Sequence, residues 1–265
     1  MFGNVAGWVQ TYGVRFARPA RRVALVCAIA GLAPSCRSQP VEQRVLFIGN
    51  SYVYTYDLPG TFKVLADAGH HRTSVGMAAT GGWLLLQQHV DSRDTQKLIA
   101  DSAWTTIVLQ EQSVMPALRT ERERQMYPAV RSLTTTIRAH HAKPLLFATW
   151  GRRDGLPTAG FATFEAMQGE LDAGYETIAE ETGAAMILAG DAWVDAREKA
   201  PTIALWGPDG SHPSPAGTYL NACVIYATIF RQSPVGLPPS KLIDAATARA
   251  LQAVAARVVL TPAAP

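Results

Sequence analysis

The sequence predicts a three-layer α/β/α sandwich built on a central five-stranded parallel sheet, and three observations lead there. Five short runs are continuously apolar and rich in Val, Ile and Leu, the pattern of strands covered on both faces. Longer segments with apolar residues at helical spacing lie between them. Gly and Pro fall at the joints, and strands that alternate with helices imply a parallel sheet with helices on both sides. A chain of 265 residues, 48% hydrophobic and 17% charged, is long enough for one substantial core.

Val45-Leu46-Phe47-Ile48 is the first strand and runs into a turn at Gly49-Asn50. A helix follows over residues 60–68 and stops at Gly69, and residues 72–77 form a second strand. The loop Ala79-Thr80-Gly81-Gly82 leads into a helix over 83–90, and the β-branched run at 105–109 is the third strand. Residues 120–141 read as one long surface helix with a charged opening, ended by Lys143-Pro144. The fourth strand covers 145–149, a helix covers 161–182 and closes on Gly183, and the fifth strand covers 184–188. Gly and Pro keep residues 205–213 irregular, after which Ser214-Pro215 supplies an N-cap and first turn for a helix reaching Phe230. A last helix spans 245–258.

Residues 1–36 read as an export signal: a basic stretch ending at Arg22, an apolar run over 23–33, and small residues before Cys36. The apolar run is too short for a comfortable membrane span. The same place resembles a bacterial lipoprotein signal, in which a lipid on Cys36 would be the chain's membrane attachment, although Ala33 stands where that signal usually has Leu. The expected location is therefore outside the cytoplasm: periplasmic, anchored to the cell envelope, or secreted. Residues 37–43 link this segment to a domain over 44–260. The formal charge of +3 comes from the leader, because residues 1–35 hold four arginines and no acid, leaving 20 basic against 21 acidic residues. A nearly neutral body is not a nucleic-acid-binding surface. Cys223 is the only cysteine beyond Cys36, and without a CxxC or a Cys/His cluster no metal site is indicated.

In sheets of this kind ligands bind beyond the carboxyl ends of the strands. That rule selects Ser51, Gly81 and Gly82, residues 110–113, Trp150, and the loop holding Asp209 and His212. At a strand-to-helix turn the Ser51 hydroxyl can stand exposed while its own N–H faces a bound carbonyl. Gly-Asn-Ser is not the GxSxG elbow, however, and a lone Ser there also serves as a helix cap. Asp209-Gly210-Ser211-His212 places a carboxylate three residues before an imidazole, so that a tight turn can bring Asp209 onto one ring nitrogen and leave the other for Ser51. Taken singly, these are an Asx turn and an exposed loop histidine. The topology that carries both to the edge holding Ser51 favours the chemical reading.

Four segments then resemble the SGNH (GDSL-like) hydrolases. VLFIGNSY is similar to that family's first block with its Ser, ATGGW to the second with its Gly, and DGSHPSPAG to the fifth, DxxH; LQEQS stands in the place of the third, usually GxND. The resemblance spans most of residues 44–230, in the family's order. It implies the flavodoxin-like SGNH fold, with Ser51 as nucleophile, His212 as general base and acid, and Asp209 orienting the ring. It also implies an oxyanion hole from the N–H groups of Ser51 and Gly81, with Gly82 as the alternative. Where the family has Asn, the alignment puts Gln112, with Gln110 as second choice by strand parity. The altered third block suggests an outlying branch.

The implied activity is that of a serine esterase working through an acyl-enzyme, with no cofactor and no metal. Trp83, Trp150 and Trp206 fall near the loops that ring the site, where they either stack on a sugar or acyl group or belong to the core or rim. Export and such aromatic rims direct the expectation to carbohydrate O-acyl esters, acetyl esters first, or to other small esters. The alternatives are a cell-envelope O-acyltransferase with the same triad and a non-catalytic glycan-binding module on the same fold. Tyr52, Tyr54 and Tyr56 line the pocket or cover the next strand, with no basis for choosing. Glu111 reads as a solvated loop acid or a substrate contact, the run from Arg119 to Arg124 as a solvated helix start, and His70-His71 and His140-His141 as helix-end residues. Nothing in the sequence selects the acyl chain, the alcohol or an oligomeric state.

Overall fold

Five strands pair in parallel in the order β2-β1-β3-β4-β5: β1 (Gln43–Gly49), β2 (Thr73–Ala79), β3 (Thr106–Leu109), β4 (Lys143–Ala148) and β5 (Ala185–Leu188). The computed structural model describes residues 42–79, 86–101 and 103–261. The export and lipidation readings, Cys36, Gly81, Gly82 and Trp83 lie outside these residues. β1 begins at Gln43, inside the segment read as a linker, and Pro144 sits near the start of β4, where a missing N–H is tolerated.

The helices are α1 (Ser51–Tyr54), α2 (Leu58–Ala68), α3 (Leu86–Asp91), α4 (Arg93–Asp101), α5 (Arg119–Glu121), α6 (Tyr127–Ala139), α7 (Phe164–Thr182), α8 (Ala189–Lys199), α9 (Pro215–Phe230) and α10 (Ala245–Leu260). Successive strand residues point to opposite layers. Val45, Phe47, Val108, Leu145, Phe147 and Ile187 pack with α2, α8, α9 and α10, while Leu46, Ile48, Ile107, Leu109 and Leu146 pack with α3, α4, α6 and α7. The chain passes from β1 outward to β2 and then returns across β1 to β3, so the switch point lies between β1 and β3.

The expected long helix over 120–141 is interrupted by a π turn at Arg122–Met126. Pro128 has no N–H to give the carbonyl of Arg124, and the Tyr127 N–H instead reaches back to the Arg122 carbonyl, which widens the turn. Arg122 is not solvated: it is buried and its Nη1 donates to the carbonyls of Pro116 and Glu170 at 2.9 Å each. Two helices escape the sequence reading. α4 carries few apolar residues, and α8 starts directly from β5 with no breaker between them.

α9 is buried continuously from Ala216 to Ala227, which explains why its sequence lacks a polar face. Its start is pinned by Ser214, whose Oγ accepts the Gly217 N–H at 3.1 Å and donates to the Ala204 carbonyl at 2.6 Å. At Gly217 the helix touches the backbone of the preceding loop: a Cβ there would lie 2.3 Å from the Leu205 carbonyl oxygen and 2.8 Å from Cζ2 of Trp193. Gly217→Ala is therefore expected to push α9 from that loop and destabilise the protein by about 1–3 kcal/mol, read from urea unfolding midpoints.

Candidate active site

Ser51 is the first residue of α1, set directly on the end of β1. Asn50 caps that turn, its Oδ1 accepting the Tyr52 N–H at 3.2 Å. The peptide joining Gly49 to Asn50 is held from both sides. His89 Nε2 lies 2.9 Å from the Gly49 oxygen, and Gln110 Oε1 accepts the Asn50 N–H at 2.9 Å. Because a carbonyl only accepts, Nε2 of His89 carries the proton, leaving Nδ1 to face Thr95 Oγ1 at 3.1 Å. Burial holds the His89 pKa below the ordinary histidine value, in keeping with a neutral ring. The Ser51 N–H, in the first turn of its helix, has no acceptor among the described residues.

Residues 205–214 form a closed hairpin loop. Ser214 N–H donates to Leu205 O at 2.7 Å, Gly207 N–H to His212 O at 2.8 Å, and Gly210 turns the tip at a φ of 65°. The segment after β4 ties it down: Arg153 N–H donates to Gly210 O at 2.9 Å, Trp150 Nε1 to Ser211 O at 3.1 Å, and Trp206 Nε1 to Gly151 O at 3.1 Å. Asp209 closes the tip itself, Oδ1 accepting the N–H groups of Ser211 and His212 at 3.0 Å each.

Its other oxygen, Oδ2, lies 2.5 Å from His212 Nδ1, and His212 Nε2 lies 2.8 Å from Ser51 Oγ. The Asp209 and His212 side chains are 49% and 42% exposed, so the array opens to solvent. Burial of the Asp209 carboxyl would raise its pKa, but the bonds from the His212 ring and from the Ser211 and His212 N–H groups outweigh this and lower it to about 2. The carboxylate is thus ionised and oriented above about pH 2. Such an array can move a proton from a hydroxyl to a ring whose tautomer is set by the carboxylate.

The glutamines of LQEQS do not join Ser51 or His212 through any hydrogen bond among the described residues. Gln110 is 1% exposed, and besides its bond to Asn50 its amide nitrogen donates to the Glu111 carbonyl, so it braces the Ser51 turn instead of facing a ligand. Gln112 uses Oε1 to accept the Val114 and Met115 N–H groups at 2.7 and 2.9 Å. Trp150 is not on a rim. It is fully buried, stacked between Tyr52 at 4.6 Å and Trp193 at 4.1 Å, because β4 ends under the Asp209 loop and its next large side chain becomes that loop's floor. Trp206 is half-buried and lines an open cleft of about 380 Å³ beside the loop with Arg153, Asp154 and Arg197.

Glu111 is the clearest departure from expectation. It is 1% exposed, its Oε1 accepting the Gln112 N–H at 2.6 Å and the Leu86 N–H at 3.2 Å. Its sequence neighbours, Gln110 and Gln112, gave no signal of burial, since loop acids usually face water. Desolvation raises its pKa to about 7, against the lowering effect of those two N–H bonds. His89 and the contact between Tyr52 and Ser211 were likewise invisible in the sequence, as they depend on residues 40 and 159 positions apart meeting in space. Among the described residues no cluster of His, Cys, Asp or Glu could hold a metal ion, and Cys223 is buried, its thiol pKa raised by desolvation.

No family model matches the chain, and no curated protein matches it in sequence. Solved structures do match. A DUF4886 family protein from Bacteroides uniformis superposes with a TM-score of 0.69 at 22% identity, covering 84% of this chain and 96% of that one. The acetyl xylan esterase AlAXEase gives 0.55 at 12% identity, covering 70% and 99%. The psychrotrophic esterase EstA from Pseudoalteromonas gives 0.52 at 18%, covering 71% and 97%. A GDSL-like lipase from Parabacteroides merdae also matches, with a TM-score of 0.50 at 14% identity, covering 69% and 93%. The chain has the SGNH hydrolase fold. At these identities the likeness is one of architecture, and within the SGNH hydrolase fold this chain sets Ser51, His212 and Asp209 at the carboxyl edge of the sheet.

The Glu111 carboxyl keeps in the folded protein a proton that the unfolded chain releases above about pH 4.5, so its contribution to stability is complete below that pH and is lost as pH rises through about 7. Glu111→Gln retains an acceptor oxygen but cannot ionise. The difference in urea midpoint between this variant and the wild type is expected to move in the variant's favour between pH 4.5 and 7.5. Asp172, whose pKa burial raises to about 6, contributes equally to both proteins and cancels in the comparison.

Proposed function

We propose that the chain is a serine ester hydrolase working through an acyl-enzyme, with Ser51, His212 and Asp209 as its triad. The observation that carries the reading is the unbroken relay from Asp209 Oδ2 through the His212 ring to Ser51 Oγ, at 2.5 and 2.8 Å. Ser51 Oγ attacks the ester carbonyl as its proton passes to His212 Nε2, and the carbonyl oxygen becomes an oxyanion. The C–O bond to the alcohol then breaks, and the leaving oxygen takes the proton from Nε2. Water next gives a proton to His212 and attacks the acyl carbon, releasing the acid and restoring Ser51.

The oxyanion is met by the Ser51 N–H, and we assign the second donor to Gly81, with Gly82 as the alternative. Of the two glutamines, Gln112 is the remaining candidate for a third donor, since the amide nitrogen of Gln110 already serves Glu111. No cofactor enters these steps. The substrate we propose is a carbohydrate O-acyl ester, acetyl first. A base and acid that are 42% and 49% exposed suit a short acyl group on a bulky alcohol better than a long chain needing a deep channel. We further propose that residues 1–36 direct export, with Cys36 as a lipid attachment point.

A fluorophosphonate probe is expected to label the wild type and not Ser51→Ala; labelling that persists in the variant removes the nucleophile assignment. A chromogenic acetyl ester is expected to be hydrolysed in water without a sugar acceptor, and turnover only when one is added would make the protein a transferase. Asp209, its pKa lowered to about 2, is expected to add no step of its own to the pH profile of kcat/KM in the neutral and mildly acidic range, and a second acid-side step there would count against its place beside His212.

A further inference from the structure

We infer that the hydrogen bond between Tyr52 and Ser211 is a positioning element for the acyl transfer, one that sets the separation of Ser51 from His212; the inference rests on the reading proposed above. Tyr52 follows Ser51 and Ser211 precedes His212, so this contact lies one residue along from the Ser51–His212 contact on both strands of chain. Tyr52 OH and Ser211 Oγ are 2.7 Å apart. Tyr52 and Ser211 are 3% and 6% exposed, whereas the His212 side chain is 42% exposed. A hydrogen bond open to water competes with water, and one closed to it does not. The buried bond is therefore the rigid member of the pair and the part-buried Ser51–His212 bond the dependent one.

The surroundings of this bond hold each end in place. The Tyr52 ring stacks on Trp150 at an interplanar angle of 6°, and Trp150 stacks on Trp193 at 4°. Trp150 Nε1 also donates to the Ser211 carbonyl at 3.1 Å, so Ser211 is gripped by side chain and backbone together. The edge-to-face contact of Tyr52 with the His212 ring, at 5.5 Å and 73°, limits rotation of the base. Burial keeps the Tyr52 phenol protonated beyond its ordinary range, so the bond survives across working pH. Misplacing a nucleophile and its base by a fraction of an ångström slows the chemical step and leaves substrate binding alone.

The test is Tyr52→Phe, which keeps the ring, its stack on Trp150 and its contact with His212 but removes the hydroxyl. Expected is a fall in kcat on the order of ten-fold with KM little changed, and a parallel fall in the rate of fluorophosphonate labelling. Ser211→Ala is expected to give the same loss, and the double variant no greater loss than either single one. Thermal midpoints of all three check that the variants fold, and the two single variants are independent routes to the same answer. Wild-type labelling rates in the folded variants, losses that multiply in the double variant, or a change confined to KM would each overturn the inference. If Ser51→Ala still labels, the esterase reading itself fails; if it does not label while Tyr52→Phe reacts normally, only the positioning role is lost.

Discussion

The structure depends most on the seam where the turn after β1 meets the hairpin loop before α9. These two pieces are 161 residues apart and belong to no common sheet or helix, yet Ser51 and His212 approach to 2.8 Å across them. Residues just past the end of β4 make the joint, through one side chain and two backbone groups. Trp150 lies flat between Tyr52 and Trp193 and ties the loop through its indole N–H, while Arg153 and the Gly151 carbonyl hold the loop's tip and shoulder. An aromatic stack of this kind is stiff, because each ring has few rotamers and large contact area, and each pair adds about 0.5–1.5 kcal/mol beyond its burial.

Behind the seam a second set of bonds fixes the Ser51 turn from below. His89 and Gln110 grip opposite ends of a single peptide, the one that joins Gly49 to Asn50. Glu111 reaches from the end of β3 to the Leu86 N–H at the start of α3. The segment LQEQS thus has much of its side-chain chemistry turned inward. Gln110 and Glu111 brace the backbone that presents Ser51, and Gln112 caps the turn that follows. A buried carboxyl with a raised pKa is tolerated here because two backbone N–H groups, which would otherwise lack acceptors, converge on it.

The Asp209 turn shows how little chain is needed to define an acid–base pair. One carboxylate oxygen folds the tip by accepting two backbone N–H groups, and the other takes the imidazole. The same residue therefore builds the turn and orients the ring. Gly210 permits this because its φ of 65° lets the chain reverse between them. The turn at the loop's tip and the orientation of its imidazole are consequences of one side chain.

The order and kind of the main elements, the position of Ser51 after the first strand and the pairing of Asp209 with His212 across a short turn were all legible in the sequence. They rest on local patterns: apolar runs of strand length, capping residues, and a carboxylate three residues from a ring. The π turn before α6, the helices α4 and α8, the burial of Glu111 and Arg122, and the inward role of Trp150 and Gln110 were decided by the tertiary structure. Each of these depends on which distant surface a residue meets, and a side chain that can bond outward to water or inward to a carbonyl looks the same in the sequence. Only folding supplies the partner, and burial then makes the inward bond the one that persists.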